Sequence, residues 1–401
     1  MKILLASRNF FPAGVVGGAQ TSVKHLAAAL RDEGHEVAIL SIDEVARRSR
    51  DPDTNATDIR LVLPGRDRAG GRTLLQKARW HFKDRLSHEM DAAYREVLDS
   101  WGPDVVNTNV LAGMGLGIWR AARQNKVPVV HTVHDYYLLC IKSSMRLGQH
   151  NCSSPCLSCR TSAVMLAKAE AQHVSGVVYV SKHMKEQHEE NGVFTGRNVF
   201  SKVIHGIYDP KGTDGAEPRP SLPGRSLHVG FMGRISPEKG LDRLIVQCAA
   251  LPDTRWSLSI AGSGEPAYIA SLKALAEGLP VEFVGVVEPS RFLRNIDILI
   301  IPSLWHDPAP RVVYEAGLHG VIPLVSNRGG LPELVDFGRR GLVFDLNDNM
   351  GLALAINKMI EDPAIVGKMR AAWEEVRSNF SSKSVARETL SIYEAVTTRS
   401  M

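Results

Sequence analysis

The alternation of two kinds of segment along the whole chain is the feature that most constrains its fold. Short runs rich in β-branched residues are separated by longer amphipathic stretches, and the stretch 19–33 places Val23, Leu26, Ala27 and Leu30 on one face. The short runs lack a strict polar–apolar alternation, which favours strands covered on both faces and hence parallel sheets. The predicted strands are residues 2–6, 36–42, 104–108, 127–133 and 176–181 in the first half, and 227–232, 256–261, 281–284, 296–302, 322–326 and 341–344 in the second.

A stretch rich in chain breakers divides this pattern in two. Residues 209–226 contain four prolines and three glycines, a density that no packed element tolerates, so we predict an interdomain linker there. The fold class that follows is α/β, with two doubly wound, Rossmann-like domains at residues 1–208 and 227–383. Residues 384–401 include an amphipathic stretch that is predicted to form a helix returning to the first domain. The C-terminal ends of the strands in both domains are expected to carry ligand loops that face one cleft.

Composition and charge exclude several classes of protein. The 401 residues carry a formal net charge of +5, a mild excess that argues against a dedicated nucleic-acid binder and is compatible with an anionic ligand. The apolar run at residues 2–6 is interrupted by Arg8 and Asn9, which does not fit a signal peptide. The run at residues 296–302 is far shorter than the ~20 residues that span a bilayer. We therefore predict a cytoplasmic protein.

A basic loop follows the first strand of the second half. Residues 233–240 read Gly-Arg-Ile-Ser-Pro-Glu-Lys-Gly, and a helix is predicted to begin near Leu241. Arg234 and Lys239 are thus expected at the C-terminal edge of a sheet. Two cations and a helix N-terminus can hold a diphosphate and neutralise its charge without a metal. A solvated basic loop is the structural alternative.

Two carboxylates lie eight residues apart further along the chain. Pro310 suits a first helical turn, which predicts that Glu315 lies one to two turns inside a helix and that Asp307 lies in the preceding loop. Each carboxylate can accept two hydroxyl hydrogen bonds, as a ribose or a sugar requires. The alternative is a helix cap at Asp307 and a surface charge at Glu315.

Glycine-bearing loops follow several predicted strands. Gly17 and Gly18 precede the first helix, but the loop lacks the dinucleotide fingerprint G-x-G-x-x-G, and a plain tight turn explains it equally well. In the second half, four such loops follow strands of one domain, and together they predict a nucleotide pocket. They begin at Gly233, Gly262, Gly285 (followed by Val286) and Gly329 (followed by Gly330).

In their order these motifs resemble the retaining family 4 glycosyltransferases of the GT-B fold, also called group 1 glycosyl transferases. The resemblance covers nearly the whole chain and is most specific in residues 227–335. The matching residues are Gly17-Gly18, His134-Asp135, Gly233-Arg234 to Lys239-Gly240, Gly262-Ser263-Gly264, Pro302-Ser303, Asp307 with Glu315-Ala316, and Gly329-Gly330-Leu331-Pro332-Glu333.

The resemblance implies a metal-independent enzyme that moves a sugar from a nucleotide-diphosphate sugar to a hydroxyl of a glycan or lipid-linked acceptor. It also implies retention of configuration, a place in polysaccharide or glycoconjugate biosynthesis, and no cofactor for catalysis. Arg234 and Lys239 would bind the donor diphosphate, and Glu315 the ribose. His134, which follows the predicted strand 127–133, would lie at the reaction centre, and Asp307 would address the donor sugar. The other residues assigned to donor binding are Gly17, Gly18, Gly262, Val286, Gly329 and Gly330.

Two departures from the family pattern leave the identity of the donor sugar undetermined. The first carboxylate is Asp307 where Glu is usual, and Pro308-Ala309-Pro310 replaces the commoner Pro-Phe-Gly. Three alternatives remain: a catalytically silent sugar-nucleotide binding protein, another GT-B enzyme such as an epimerase or a phosphorylase, and an NAD-dependent oxidoreductase. The last is disfavoured because the first glycine loop lacks the dinucleotide fingerprint.

Four of the five cysteines fall within twenty residues, at Cys140, Cys152, Cys156 and Cys159. This spacing in a small Ser/Pro-containing loop is typical of a structural zinc site. Free thiols, a disulfide and an iron–sulfur cluster are the alternatives. Residues 51–53 form a D-x-D, the metal signature of another glycosyltransferase fold. We discount it, because no strand is predicted before it and residues 47–50 have the composition of a solvated loop.

A basic segment with aromatic residues occupies residues 77–86. A helix that combines basic residues with Trp80, Phe82 and Leu86 can lie on an anionic membrane surface. Aromatic residues on a helix are also typical of a core face. The segment therefore predicts either peripheral membrane contact or ordinary packing.

Overall fold

The computed structural model describes residues 1–8, 17–43, 47–50, 56–62, 74–148, 150–196, 199–208, 226–251, 256–348 and 350–400. The chain divides into two compact units, one formed by Met1–Ile207 with Ser381–Met401 and the other by Tyr208–Phe380. The predicted linker, residues 209–226, lies outside the described residues except for Ser226.

The first unit contains an eight-stranded sheet that is parallel except at one edge. Its strand order is β10-β9-β6-β5-β1-β2-β4-β3, and β3 pairs antiparallel with β4. The strands are β1 (Lys2–Ala6), β2 (Glu36–Asp43), β3 (Arg47–Arg50), β4 (Thr57–Val62), β5 (Val105–Thr108), β6 (Val129–Val133), β9 (Gly176–Tyr179) and β10 (Phe200–Val203), and a separate hairpin is formed by β7 (Arg146–Leu147) and β8 (His150–Asn151). The helices up to the second unit are α1 (Gly18–Asp32), α2 (Leu74–Leu86), α3 (Asp91–Trp101), α4 (Gly117–Gln124), α5 (Leu157–Arg160), α6 (Ala163–Ala171) and α7 (Lys182–Glu190).

The second unit contains a six-stranded sheet in which every described pairing is parallel. Its strand order is β13-β12-β11-β14-β15-β16. The strands are β11 (Leu227–Met232), β12 (Trp256–Ala261), β13 (Val281–Gly285), β14 (Ile298–Ile301), β15 (Ile322–Ser326) and β16 (Leu342–Phe344). The helices are α8 (Leu241–Ala249), α9 (Pro266–Leu275), α10 (Pro289–Arg294), α11 (Val312–Leu318), α12 (Leu331–Leu334), α13 (Gly351–Glu361) and α14 (Pro363–Val376), with 3₁₀ turns at Pro237–Lys239, Asp336–Gly338 and Arg377–Phe380.

The last helix, α15 (Ser382–Ser400), belongs to the first unit. It packs against α1 and contributes Ile392, Tyr393 and Val396 to one hydrophobic core with the strand residue Ile3. The predicted apolar face of α1 is buried, since Val23, Leu26, Ala27 and Leu30 are each 9% exposed or less. In the second unit two separate apolar clusters cover the two faces of the sheet, as parallel sheets require. Within the described residues, none of the helices combines the length and apolar character that crossing a membrane demands.

Edge strands account for most of the differences from the predicted strands. Arg47–Arg50, predicted as a solvated loop, forms the edge strand β3. An edge strand is paired on one side only and tolerates charged side chains, so its sequence gives no apolar signal. The argument that no strand precedes the D-x-D is therefore wrong, although residues 51–53 themselves lie outside the described residues.

The helix that carries Glu315 begins later than predicted. It starts at Val312, with Arg311 as the N-cap residue, and Glu315 lies in its first turn rather than one to two turns inside.

Candidate functional site

The C-terminal ends of β11 and β14 meet at the centre of the second sheet. The strands along the chain extend from β11 to one edge through β12 and β13, and then to the other edge through β14, β15 and β16. This reversal is a topological switch point, where loops from adjacent strands diverge to opposite faces and leave a crevice. The loop after β11 carries Arg234 and Lys239, and the loop after β14 carries Asp307.

Lys239 and Asp307 form an ion pair at this switch point. The Lys239 ammonium donates to Asp307 Oδ2 at 2.5 Å, and Ser303 Oγ donates to the same oxygen at 3.1 Å. The two charged side chains are only 16% and 6% exposed. The Lys239 Nζ also lies 5.6 Å from the centre of the Trp305 ring. The pair therefore places a fixed, largely desolvated cation beside a carboxylate.

Two glycines after β15 allow a second loop to pack directly on this pair. Gly330 N–H donates to the carbonyl oxygen of Asp307 at 2.9 Å, and Gly329 N–H donates to His306 Nδ1 at 3.2 Å. Gly329 has a φ of +60°, and a Cβ there would lie 2.4 Å from the Asp307 carbonyl oxygen. A side chain at this position would thus push the loop away from Asp307.

A row of glycine loops continues along the same edge of the sheet. Gly262 approaches Gly233 so closely that a Cβ on Gly262 would lie 1.7 Å from the Gly233 carbonyl oxygen. Backbone hydrogen bonds join the loops: Gly233 N–H donates to Ala261 and Gly262 N–H donates to Gly285. Val286 follows and is 80% exposed. The predicted glycine loops thus form one continuous backbone rim with an exposed apolar side chain.

Arg234 differs from Lys239 in its surroundings. Its guanidinium donates to Glu238 Oε1 at 2.8 Å, and the Arg234 side chain is 66% exposed. An exposed pair of this kind contributes roughly 0–1 kcal/mol and exchanges partners easily. Arg234 can therefore turn toward an anion at small cost.

Glu315 forms a buried pair with a residue that the sequence analysis did not select. Arg311 Nε donates to Glu315 Oε1 at 3.0 Å, and both side chains are 9% exposed. Burial raises the pKa of Glu315, while the charge and the hydrogen bond of Arg311 act in the opposite direction. Glu315 is thus held in place by Arg311 within the first turn of α11.

His134 in the first unit ends a chain of hydrogen bonds. Its Nε2 lies 3.1 Å from Asn109 Oδ1, and Asn109 Nδ2 donates to Asn107 Oδ1 at 3.0 Å. Because the amide nitrogen of Asn109 faces Asn107, its oxygen faces His134 and accepts, so Nε2 carries the proton. Asn107 Nδ2 in turn donates to the Tyr393 hydroxyl of α15 at 2.7 Å. The C-terminal helix therefore takes part in fixing the orientation of His134.

The loop after His134 is anchored from α2. Arg85 Nη2 donates to the carbonyl oxygens of Tyr137 and Cys140 at 3.0 and 3.1 Å, and the Tyr137 hydroxyl donates to Asp84 Oδ2 at 3.0 Å. Asp135 Oδ1 accepts from Tyr137 N–H at 2.8 Å. Burial raises the pKa of Asp135 to about 6, against the opposing effects of the Tyr137 N–H and Arg85.

Gly17 and Gly18 lie at the exposed start of α1. Gly17 is its N-cap residue, and its N–H donates to the Gln20 side chain at 3.1 Å. The rest of the predicted loop, residues 9–16, lies outside the described residues.

The four clustered cysteines do not form the predicted zinc site. Among the residues that the structure describes, no group of three or more His, Cys, Asp or Glu side chains is arranged to hold a metal ion. Cys156 and Cys159 do lie together, with their sulfur atoms 3.6 Å apart. Cys156 and Cys159 are thus the two thiols whose sulfur atoms are in direct contact.

Three residues that matter for this geometry were missed from the sequence. Arg311 could have been found, because it lies four residues before Glu315 on a predicted helix. Asn109 follows the end of a strand, as candidate site residues do, but a single Asn in a loop does not by itself indicate a functional site. Tyr393 is 286 residues from Asn107, and nothing in the sequence joins them.

Two family profiles match most of the chain. The profile described as glycosyl transferases group 1 matches residues 216–378, and a glycosyl transferase 4-like domain matches residues 17–200. An uncharacterized 42.6 kDa protein in the cps region of Klebsiella pneumoniae is 30% identical over 340 residues, covering 83% of this chain and 87% of that protein. Glycogen synthase of Mycobacterium tuberculosis is 28% identical over 418 residues, covering 98% of this chain and 94% of that protein.

Solved structures share the overall architecture. A sucrose-phosphate synthase of Thermosynechococcus elongatus has a TM-score of 0.72 at 19% identity and covers 98% of both chains. HepE of Anabaena, in complex with UDP, has a TM-score of 0.71 at 20% identity and covers 98% of this chain and 100% of its own.

Proposed function

This chain belongs to the group 1 glycosyl transferases and has the GT-B fold, and we propose that it transfers a sugar from a nucleotide-diphosphate sugar to a hydroxyl of a glycan or lipid-linked acceptor. The observation that carries this proposal is the Lys239–Asp307 pair at the switch point of the second sheet, rimmed by glycine loops. A buried cation beside close-packed backbone suits a diphosphate. HepE, which has the same architecture, is solved with UDP, so uridine diphosphate is the first nucleotide to test.

In this proposal Lys239 and Arg234 stabilise the leaving diphosphate. Lys239 has three N–H donors and uses one on Asp307, which leaves the ammonium able to donate to phosphate oxygens as well. As the glycosidic bond breaks, negative charge grows on the diphosphate, so the two cations bind it more strongly in the transition state than before. They supply the charge neutralisation that other transferases obtain from a metal ion, and we propose that this enzyme is metal-independent.

Glu315 is assigned to the ribose and Asp307 to both the donor sugar and the orientation of Lys239. Arg311 Nε donates to Oε1 of Glu315, and we assign the other oxygen, Oε2, to a ribose hydroxyl. His134 is kept as the residue at the reaction centre, with its ring orientation set by Asn109. The family resemblance implies retention of the anomeric configuration, which we include in the proposal. Proton NMR of the product anomer tests it.

We also propose that α2 contacts an anionic membrane surface, which would bring a lipid-linked acceptor to the enzyme. Phe82 is 56% exposed, and Arg79 and Lys83 are exposed on the same helix. Met165 and Leu166 are exposed on α6, which packs against α2. Sedimentation with vesicles rich in anionic lipid tests this, and a Phe82→Ser variant that binds them as well as the wild type would contradict it.

Calorimetry with Glu315→Gln tests the donor site. The wild type is expected to bind a nucleoside diphosphate, and the variant about 3–30-fold more weakly, because one acceptor oxygen becomes a donor. The matched control is Glu374→Gln, since Glu374 is an exposed carboxylate of α14 that pairs with Arg377 at 2.7 Å. Equal affinity of Glu315→Gln and wild type for uridine, adenosine and guanosine diphosphates would remove Glu315 from the site.

A turnover assay separates the enzyme from a silent binding protein. The purified protein is incubated with nucleotide sugars, with and without a panel of acceptors, in excess EDTA, and the released nucleoside diphosphate is measured. Release in EDTA supports metal-independent transfer. Tight donor binding with no release under any condition would favour the catalytically silent alternative.

A further inference from the structure

We propose that Cys156 and Cys159 are a redox-active dithiol, which closes to a disulfide by exchange with a low-molecular-weight disulfide such as oxidised glutathione. The two sulfur atoms are 3.6 Å apart at the start of α5. Disulfide formation brings sulfur atoms to about 2.05 Å, so the pair needs a shift of roughly 1.5 Å, which one side-chain rotation can supply. The inference does not depend on the sugar-transfer proposal.

The two thiols differ in the way that a dithiol exchange requires. Cys156 is partly exposed and lies 3.1 Å from the Ser158 hydroxyl, whereas Cys159 is 3% exposed. The Ser158 hydrogen bond and the Cys159 backbone N–H lower the pKa of Cys156, and burial raises the pKa of Cys159 to about 12. Cys156 is thus the accessible thiol that attacks first, and the buried Cys159 beside it is placed to resolve the mixed disulfide.

The exchange proceeds in two balanced steps. The Cys156 thiolate attacks one sulfur of oxidised glutathione, forms a mixed disulfide and releases one glutathione thiolate. Cys159 then loses its proton and its sulfur attacks Cys156 Sγ, which releases the second glutathione. Two protein thiols are oxidised, and one small disulfide is reduced to two thiols.

Closure of this disulfide is expected to loosen the loop that follows His134. Cys159 Sγ accepts the backbone N–H of Ile141 at 3.5 Å, and Ile141 lies in the segment that Arg85 anchors. If Cys159 Sγ moves toward Cys156, this long hydrogen bond is stretched further. The amide of Ile141 then exchanges its hydrogen faster, which provides a readout independent of catalysis.

The test uses the full-length, reduced protein in mixtures of reduced and oxidised glutathione, followed by alkylation, proteolysis and mass spectrometry. We expect a disulfide between Cys156 and Cys159, while Cys248, which is fully buried in the second unit, stays reduced. Cys159→Ser is expected to stop at the Cys156 mixed disulfide, and Cys156→Ser to form neither product. Under limiting iodoacetamide near pH 7, Cys156 should react ~10-fold or more faster than Cys152, because burial raises the pKa of Cys152.

Cys152→Ser is the matched control, because it removes a neighbouring thiol but leaves the pair intact. It is expected to form the same disulfide as the wild type, with faster amide exchange in residues 135–141 after oxidation. A disulfide that uses Cys140 or Cys152 instead would overturn the proposal. So would zinc that copurifies in stoichiometric amount and protects all four thiols, or failure of the wild type to form any disulfide.

Discussion

The candidate site residues of the two units are held by groups of different charge. At the C-terminal edge of the second sheet, Lys239 pairs with Asp307 and Arg311 pairs with Glu315, all with side chains no more than 16% exposed. At the corresponding edge of the first sheet, His134 is held by the neutral amide of Asn109. Two buried histidines of the same unit are neutral, since burial lowers the pKa of His131 to about 3 and that of His188 to about 4.

This difference matches the two halves of the proposed reaction. Buried ion pairs contribute little net stability, because the cost of desolvating both ions nearly offsets their attraction. Their presence at one edge therefore favours a role in binding a charged ligand. A neutral network orients a side chain without competing for an anion, and it suits the edge that receives hydroxyl groups.

Removing one partner of the Lys239–Asp307 ion pair should have the largest effect on stability and on sugar transfer. Lys239→Ala leaves Asp307 buried without its ammonium, which is expected to cost about 3–5 kcal/mol in the free energy of unfolding. It should also lower sugar transfer by ~10–100-fold or more, because a charge-assisted bond to the leaving diphosphate is lost. Chemical denaturation and turnover assays measure the two effects.

The double variant Lys239→Ala/Asp307→Ala separates stability from catalysis. It leaves no lone charge, so most of the lost stability should return while transfer stays impaired. Lys368→Ala, an exposed lysine on α14, is the control for a change in net charge. If Lys239→Ala leaves both stability and transfer unchanged, the charged edge is not part of the donor site.

Much of the second sheet was predictable, and the pairing at its edge was not. The bounds of β11, β12 and β15 agree with the prediction, because strands buried on both faces carry an apolar signal along their whole length. Lys239 and Asp307 were each selected, but as separate groups. They are 68 residues apart, and only the placement of β14 beside β11 brings them together. Local sequence does not determine the order of strands in a sheet, so the ion pair could not be inferred.

The first sheet was harder to predict for a different reason. The edge strands β3 and β10 were missed, and so was β4, which lies next to β3, since a strand at or near an edge needs less apolar surface. His134 was found because it directly follows a buried strand, β6. Its orientation depends on Tyr393 from the opposite end of the chain, which no spacing rule connects with β5 or β6.

Breaking the chain of hydrogen bonds that holds His134 should have a smaller effect on stability and turnover. Tyr393→Phe removes the hydroxyl that accepts from Asn107 Nδ2, and a buried donor left without this partner costs about 1–3 kcal/mol. Because Asn107 also fixes Asn109, the turnover number should fall severalfold while the affinity for nucleoside diphosphate stays constant. Stability measurements, turnover assays and calorimetry on one preparation test this combination.

Tyr94→Phe is the matched control for Tyr393→Phe. Tyr94 is also fully buried in the first unit, and its hydroxyl donates to the carbonyl oxygen of Met114 at 2.8 Å. It should lose a similar amount of stability and keep the wild-type turnover number per folded molecule. Equal turnover in the two variants would mean that Tyr393 only stabilises the fold and does not position His134.

The last expected effect concerns the pH dependence of stability at Asp135. Burial raises the pKa of Asp135 to about 6, while the same group has a pKa of roughly 4 in the unfolded chain. Below about pH 4 both states hold the proton, and the stabilising contribution is fully present. As the pH rises through about 6, the folded state must lose that proton, and the contribution disappears.

Asp135→Asn keeps this position neutral at every pH and so tests whether burial raises the pKa of Asp135. Relative to the wild type, the variant should gain about 3 kcal/mol of unfolding free energy between roughly pH 4 and pH 7. Asp99→Asn, an exposed change on α3, is the control for the loss of one carboxylate. Denaturant titrations at several pH values measure the difference. A difference between Asp135→Asn and wild type that stays constant over this range would mean that burial does not raise the pKa of Asp135, and that its carboxylate is as ionised in the folded protein as in the unfolded chain.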